Sequence, residues 1–179
     1  MKLYIALIPN NNFNNQVYNA RKELVSLMLS QHDNRINTLP HACISYLKEV
    51  NNLDAIAPLK NLLENISLKN KISLKIDSFD NYGHKVVAMF NPKITKPYVD
   101  EVENFLNQFQ LSGNVEYVSS VKTPVGDHLK IVRNVYPTKI DETKKYLASK
   151  LDPIIEFNRI VLIKYNCQEK DILWQKNLT

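Results

Sequence analysis

Two histidines, His41 and His128, each stand at the head of a strand-like run. The first run is Leu39-Pro40-His41-Ala42-Cys43-Ile44-Ser45-Tyr46-Leu47 and the second is Asp127-His128-Leu129-Lys130-Ile131-Val132-Arg133. Side chains alternate across a strand, so the spacing predicts His41, Cys43 and Ser45 on one face, with Ala42, Ile44 and Tyr46 on the other. In the second run His128, Lys130 and Val132 share a face, and Arg133 has the opposite parity. Two imidazoles facing one ligand divide acid and base work near neutral pH: one takes a proton from water, the other gives one to a leaving oxygen. Phosphodiester cleavage suits such a pair, because both the attacking and the leaving oxygen need proton management. Cys43 and Lys130, two positions after each histidine, would stand beside the imidazoles as partners for the non-bridging oxygens.

The elements that must position these residues follow from periodicity. Lys2 to Ile8 is a short apolar run stopped by Pro9, which predicts a buried strand. Asn10 to Asn15 reads as a polar turn. Val17, Ala20, Leu24, Leu27 and Met28 recur at helical spacing between Gln16 and Ser30. After the His41 strand, Asp54 is an expected N-cap for a helix carrying Ile56, Leu59, Leu62, Leu63 and Ile66. Lys71 to Phe79 alternates as one half-buried strand, and Asn81-Tyr82-Gly83 is a turn. The order then repeats. Lys85 to Phe90 is a strand, Pro97 opens a helix with Val99, Val102, Phe105, Leu106 and Phe109 inward, and a short strand is expected near Val115 to Val118 before the His128 strand. Asp141 to Leu151 is helical, Ile154 to Tyr165 is rich in β-formers, and Ile172 to Gln175 is a last strand. Each half thus reads strand, helix, His-strand, helix, strand. The expectation is one domain over 1–179, of α/β (α+β) class, with pseudo-twofold lobes near 1–80 and 81–179 and two antiparallel-rich sheets around a central groove that holds both histidines.

The 179 residues suffice for a real core, and the composition is that of a globular protein. A net charge of +5 fits a phosphate-bearing partner, or solvated surface lysine. Cys43 and Cys167 are the two cysteines; no CxxC or zinc-type spacing occurs, so no metal site and no cofactor are expected, and a reduced cytoplasmic protein is. No run is long enough to cross a membrane. The association state expected is a monomer. His32 and His84 sit among turn residues and read as surface. Tyr4, Tyr46 and Tyr165 could stack on a base, but core packing is the expected role for each. Lys122 and Arg133 are possible phosphate neighbours.

On these motifs the chain resembles the 2H phosphoesterases, the superfamily of bacterial LigT-like 2′-5′ RNA ligase proteins and RNA 2′,3′-cyclic phosphodiesterases. Lys2-Leu3-Tyr4-Ile5-Ala6-Leu7 looks like that family's first strand, and Pro40-His41-Ala42-Cys43-Ile44-Ser45-Tyr46-Leu47 like its first His-x-Thr/Ser motif. Ile76-Asp77-Ser78-Phe79 with Tyr82-Gly83 and Lys85-Val86-Val87 is similar to the mid-chain strand pair, and His128-Leu129-Lys130-Ile131-Val132-Arg133 resembles the second motif. The resemblance implies a bilobal α/β fold, no metal, and a groove for a nucleotide or RNA phosphate. It also implies His41 and His128 as the catalytic pair, with Lys130, Cys43 and Ser45 on the substrate. Position three departs from the family in both motifs. Cys43 is a weak donor in place of a hydroxyl. Ser45 carries a hydroxyl, but two residues along a strand is roughly 6–7 Å. Lys130 brings a full charge that would lower the pKa of His128 and so favour His128 as base and His41 as acid. The activity this implies is metal-independent cleavage of an RNA end, a 2′-5′ oligonucleotide or a cyclic nucleotide. A weakened protein of the same fold that only binds such a ligand is the alternative, and a structural domain whose histidines never meet is a third.

Overall fold

A computed structural model of the chain describes residues 2–32, 36–47, 56–111 and 127–179. Along the chain these form β1 (Leu3–Pro9), α1 (Asn11–Ser26), β2 (Ala42–Leu47), α2 (Ile56–Glu64), β3 (Ile72–Lys75), β4 (Ser78–Tyr82), β5 (Lys85–Met89), α3 (Pro92–Leu111), β6 (His128–Val132), α4 (Ile140–Lys150), β7 (Ile154–Lys164) and β8 (Ile172–Asn177). The strands make one antiparallel sheet in the order β3-β7-β1-β2-β6-β5-β4, with β8 also on β7. Where two sheets were expected, the path is continuous, because β2 and β6 join edge to edge through the registered pair Ala42–Leu129. The strands of the two halves interleave: β7, from the end of the chain, returns to pair with β1 and β3, and β8 pairs with β7.

The helices supply one apolar face each to the same side of the sheet. Val17 and Leu24 of α1, Leu63 of α2, Val102 of α3 and Leu147 of α4 pack with Leu3, Ile5, Ala42, Ile44, Leu129 and Ile131 in one buried cluster. The opposite side carries a smaller cluster of Ala6, Ile8, Leu39, Val161, Ile163 and Cys167, with Tyr4 beside it. That second side, free of helices among the described residues, is where the histidines point.

Several boundaries differ from the sequence reading for local reasons. Asn10 accepts a hydrogen bond from the Phe13 backbone N–H at 2.9 Å, so α1 starts at Asn11 and absorbs the expected turn. Its C-terminus comes earlier: Met28 has φ 56°, and Leu27 and Met28 lie exposed instead of inward. The strand read across Lys71 to Phe79 is two strands at opposite edges of the sheet, β3 and β4, and the turn that closes the β4–β5 hairpin sits at Gly83, where φ is +59°. Helix α3 opens at Pro92, behind Asn91, whose side chain accepts from the Lys93 N–H at 3.0 Å; Pro97 lies inside it. Asp54, Lys122 and the strand expected near Val115 to Val118 fall outside the described residues.

Two bulges shape the site. On β2, Ile5 faces Ser45 and Ala6 faces Cys43, which leaves Ile44 as the extra residue. On β6, Val87 faces Lys130 and Val86 faces Val132, which leaves Ile131 as the extra residue. Each bulge lies three residues after its motif histidine, so the two halves repeat the same irregularity. The β6 bulge is held from behind by Arg21 of α1. Its Nε donates to the Ile131 carbonyl at 2.6 Å, and its Nη1 donates to Thr38 at 2.6 Å and Ile36 at 2.9 Å. Arg21→Met would leave these carbonyls short of a charged donor, and we expect a loss of about 3 kcal/mol in stability by urea denaturation. A midpoint unchanged from wild type would mean the bulge stands without the guanidinium.

Candidate functional site

The Ala42–Leu129 pair fixes how the two motifs meet. Antiparallel register carried one residue either way sets Cys43 opposite His128 and His41 opposite Lys130. Each histidine therefore faces the third residue of the other motif. The histidines lie on a diagonal, roughly 7–8 Å apart at the backbone, so both rings reach a group the size of a phosphate. Helix-side residues Ala42, Leu129 and Ile131 are buried beneath them.

His41 is held tightly. Its Nδ1–H donates to the Leu39 carbonyl at 2.8 Å, which fixes the tautomer and leaves Nε2 as an acceptor. The Cys167 Sγ stands 3.6 Å from that Nε2, and the Cys167 carbonyl accepts from the Leu39 N–H at 2.8 Å. With 8% of its surface exposed, the ring pays the desolvation of a charged form, and its pKa falls to about 4. Burial is the main cause; Lys130, Arg133 and Arg21 push the same way, and the bond to Leu39 opposes them. Lys130, which the sequence set beside His128, stands across from His41 in the antiparallel register and adds to the lowering there as a lesser cause than burial. The consequence for stability has a definite sign. An unfolded histidine takes up its proton near pH 6.5 and the folded one near 4, so the contribution is full above about 6.5 and lost as pH falls to about 4. We expect about 3 kcal/mol of acid destabilisation across that window. Denaturation midpoints at pH 7 and pH 4.5 measure it, and His41→Asn should flatten the difference.

His128 is set up differently. Its Nδ1–H donates to the Asp127 carboxylate at 2.7 Å, and it keeps more surface than His41. Tyr82 reaches across β5 to place its ring edge-on to the imidazole, centroids 5.2 Å apart. A carboxylate on Nδ1 fixes the orientation of the ring and turns Nε2 to the open side. Asp127 and Tyr82 were not among the expected site residues. Asp127 directly precedes His128, and a carboxylate next to a strand-leading histidine was the signal available.

Lys130 lies half-buried on the same face, with its pKa lowered to about 8 by burial first, then by Arg133 and Lys85. Among the described residues it has no carboxylate partner. Arg133 joins it against its sequence parity: the Ile131 bulge turns Val132 into the helix-side core and Arg133 onto the groove face.

The same logic corrects Ser45. The Ile44 bulge turns it to the helix side, where it faces Ile5, is buried, and has no partner for its Oγ among the described residues. It does not share the face of His41 and Cys43. Cys43 stays on that face, but its Sγ donates to the Ser45 carbonyl at 3.3 Å. Burial is the main reason both thiols, Cys43 and Cys167, are pushed up to about 12, so neither is a thiolate at neutral pH. Cys167, far along the chain, had no sequence signal as a site residue. Tyr46, turned onto the groove face by the bulge, lies 5.1 Å from Tyr4, which lies 5.8 Å from His41 and 5.7 Å from Tyr165, ring centre to ring centre. The three tyrosines form a partly exposed aromatic wall beside His41. His32 and His84 are exposed, as expected. No group of three His, Cys, Asp or Glu side chains among the described residues could hold a metal ion, and no helix among them is long and apolar enough to cross a membrane.

No protein-family model and no curated protein match this chain. Solved structures do. The chain is similar to Escherichia coli LigT complexed with 3′-AMP over 99% of its length and 98% of that chain, at a TM-score of 0.63 and 14% identity. A crystal structure described as a phosphoesterase matches at 0.61 and 13%, again over 99% and 98%. A protein from Thermus thermophilus gives 0.61 and 12% over the same shares. At these identities the likeness establishes the fold alone: this chain has a LigT-like fold over 99% of its length.

Proposed function

We propose that the chain is a phosphodiesterase that uses His41 and His128 as an acid–base pair and needs no metal. The observation that carries this is the register: each histidine stands opposite the third residue of the other motif on one face of the sheet, beside a lysine that has no carboxylate partner among the described residues. His41, neutral with Nε2 as its acceptor beside the Cys167 thiol, takes a proton from water. The water oxygen attacks phosphorus. His128, oriented by Asp127 on its Nδ1, acts in its protonated form and gives the Nε2 proton to the leaving ribose oxygen. Lys130 meets the non-bridging oxygens as charge builds on them. The two halves work as one unit, because neither motif alone supplies both protons and the cation. The substrates that fit are an RNA 2′,3′-cyclic end, a 2′-5′ oligonucleotide or a cyclic nucleotide. LigT, which shares the fold, has been crystallised with 3′-AMP and with ATP, which supports a nucleotide as ligand here.

One observation favours a second reading, a protein of this fold that binds a nucleotide without cutting it. The Cys43 thiol is turned back onto its own strand, so a phosphate would gain no hydroxyl from either motif. The test that separates the two is turnover in EDTA against 2′,3′-cyclic nucleotides, a 2′-5′ oligoadenylate and cyclic dinucleotides, beside binding of the same compounds. Cleavage supports the enzyme, and tight binding of one compound with no cleavage supports the sequestering protein. Neither cleavage nor binding removes both.

A further inference from the structure

Beyond the histidine pair, β5 and β6 gather three cations on the groove face. Lys130 faces Val87, and the next registered pair, Val86 with Val132, carried one residue further sets Lys85 opposite Arg133. Like charges directly opposite on a sheet are destabilising. No acid relieves this arrangement: among the described residues none of the three cations is ion-paired, while the acids on the neighbouring elements are engaged elsewhere, Asp127 with His128 and Asp80 with Lys144. Arg133 and Lys85 both act on the Lys130 ammonium, so the three share one local field. The opposite arm of the groove is lined by tyrosines.

A scissile phosphodiester carries one negative charge. Placed between the histidines it meets Lys130 and leaves Lys85 and Arg133 unmatched, further along the strands by roughly 7–10 Å. We infer that Lys85 and Arg133 form a subsite for a second phosphate, so that the substrate is a nucleotide or oligonucleotide bearing a phosphate group besides the one that is cut. This rests on the two-histidine reading for the position of the scissile group, but the subsite itself is testable without turnover.

The probes are adenosine 2′,3′-cyclic phosphate and its 5′-phosphorylated form. The wild-type protein is expected to prefer the second by at least about tenfold in kcat/KM, through KM. Lys85→Ala with Arg133→Ala should bring the ratio to within about twofold, whereas Arg133→Lys should keep most of it. Lys85 is exposed, so Lys85→Ala alone, expected to reduce the ratio about threefold, is the variant least able to disturb folding. Equal kcat/KM for the two probes in wild type, or a preference that survives the double variant, overturns the subsite and leaves the two-histidine reading intact. If neither probe is cleaved, the hydrolytic reading fails by itself. The subsite then stands on binding: the 5′-phosphorylated probe must bind at least about tenfold tighter than the other, and equal affinity overturns it.

Discussion

His41→Ala and His128→Ala are each expected to lower kcat by roughly 10²–10⁴-fold with much smaller changes in KM. The reason lies in the division of labour. A neutral imidazole with its Nδ1–H fixed on Leu39 has one thing to offer a substrate, an acceptor at Nε2. An imidazole whose Nδ1–H is fixed on Asp127 offers a donor at Nε2 when the ring carries its second proton, which is the form the proposed step uses. Removing either leaves one oxygen without its proton partner, and the two losses should not multiply in the double variant, because the remaining group has no productive step to assist. The acid limb of kcat/KM should follow His41, near pH 4 in the free protein, since a protonated His41 cannot take a proton from water. Stopped or continuous assays of 2′,3′-cyclic nucleotide hydrolysis, run from pH 4 to 9, read both features. A histidine variant that retains wild-type kcat removes that histidine from the mechanism. Retention by both reduces the pair to structure.

How much of this was legible in the sequence differs by scale. The two histidine-led runs and their place on strands follow from alternation and from the repeated element order, and in the fold the two runs are the paired strands β2 and β6. Alternation failed at Ser45 and Arg133 for one shared reason. A strand pattern assumes one residue per step, and the extra residues, Ile44 and Ile131, are apolar amino acids that look like any other strand position. The partner of the β6 bulge is not local either: Arg21, on a helix far away in sequence, donates to the Ile131 carbonyl. The β3–β4 break was hidden because Ile72, Leu74 and Ile76 keep the alternation going to the point where the chain crosses to the other edge of the sheet. Cys167 could not be read at all, since only the return of β7 beside β1 brings the loop after it to His41. The charge on Lys130 was legible. Which histidine it faces was not, because antiparallel pairing exchanges the third residues of the two motifs.

That exchange makes Lys130 the residue whose substitution should separate function from stability most sharply. Lys130→Met is expected to lower kcat by roughly 10²–10³-fold, the scale seen when one charge-stabilising donor is removed from a transition state. It should also raise stability by about 1–2 kcal/mol, because the fold no longer keeps a half-buried cation without a carboxylate. The same cation sets a basic limit. With its pKa near 8, Lys130 loses its charge as pH rises past that value, so kcat/KM should decline above about pH 8 through weaker phosphate binding. Lys130→Arg keeps the charge at any accessible pH, and the decline should move upward. Lys130→Thr brings in the hydroxyl of the His-x-Thr/Ser motif that this run resembles, and it divides the readings of the site. Lower turnover means the lysine has taken over the hydroxyl's work on the phosphate. Higher turnover means this groove is a weakened form of an enzyme that the hydroxyl served better. Denaturation midpoints measured beside the kinetics complete the test, since a Lys130→Met variant that loses both stability and turnover would mark the lysine as a packing residue of the sheet.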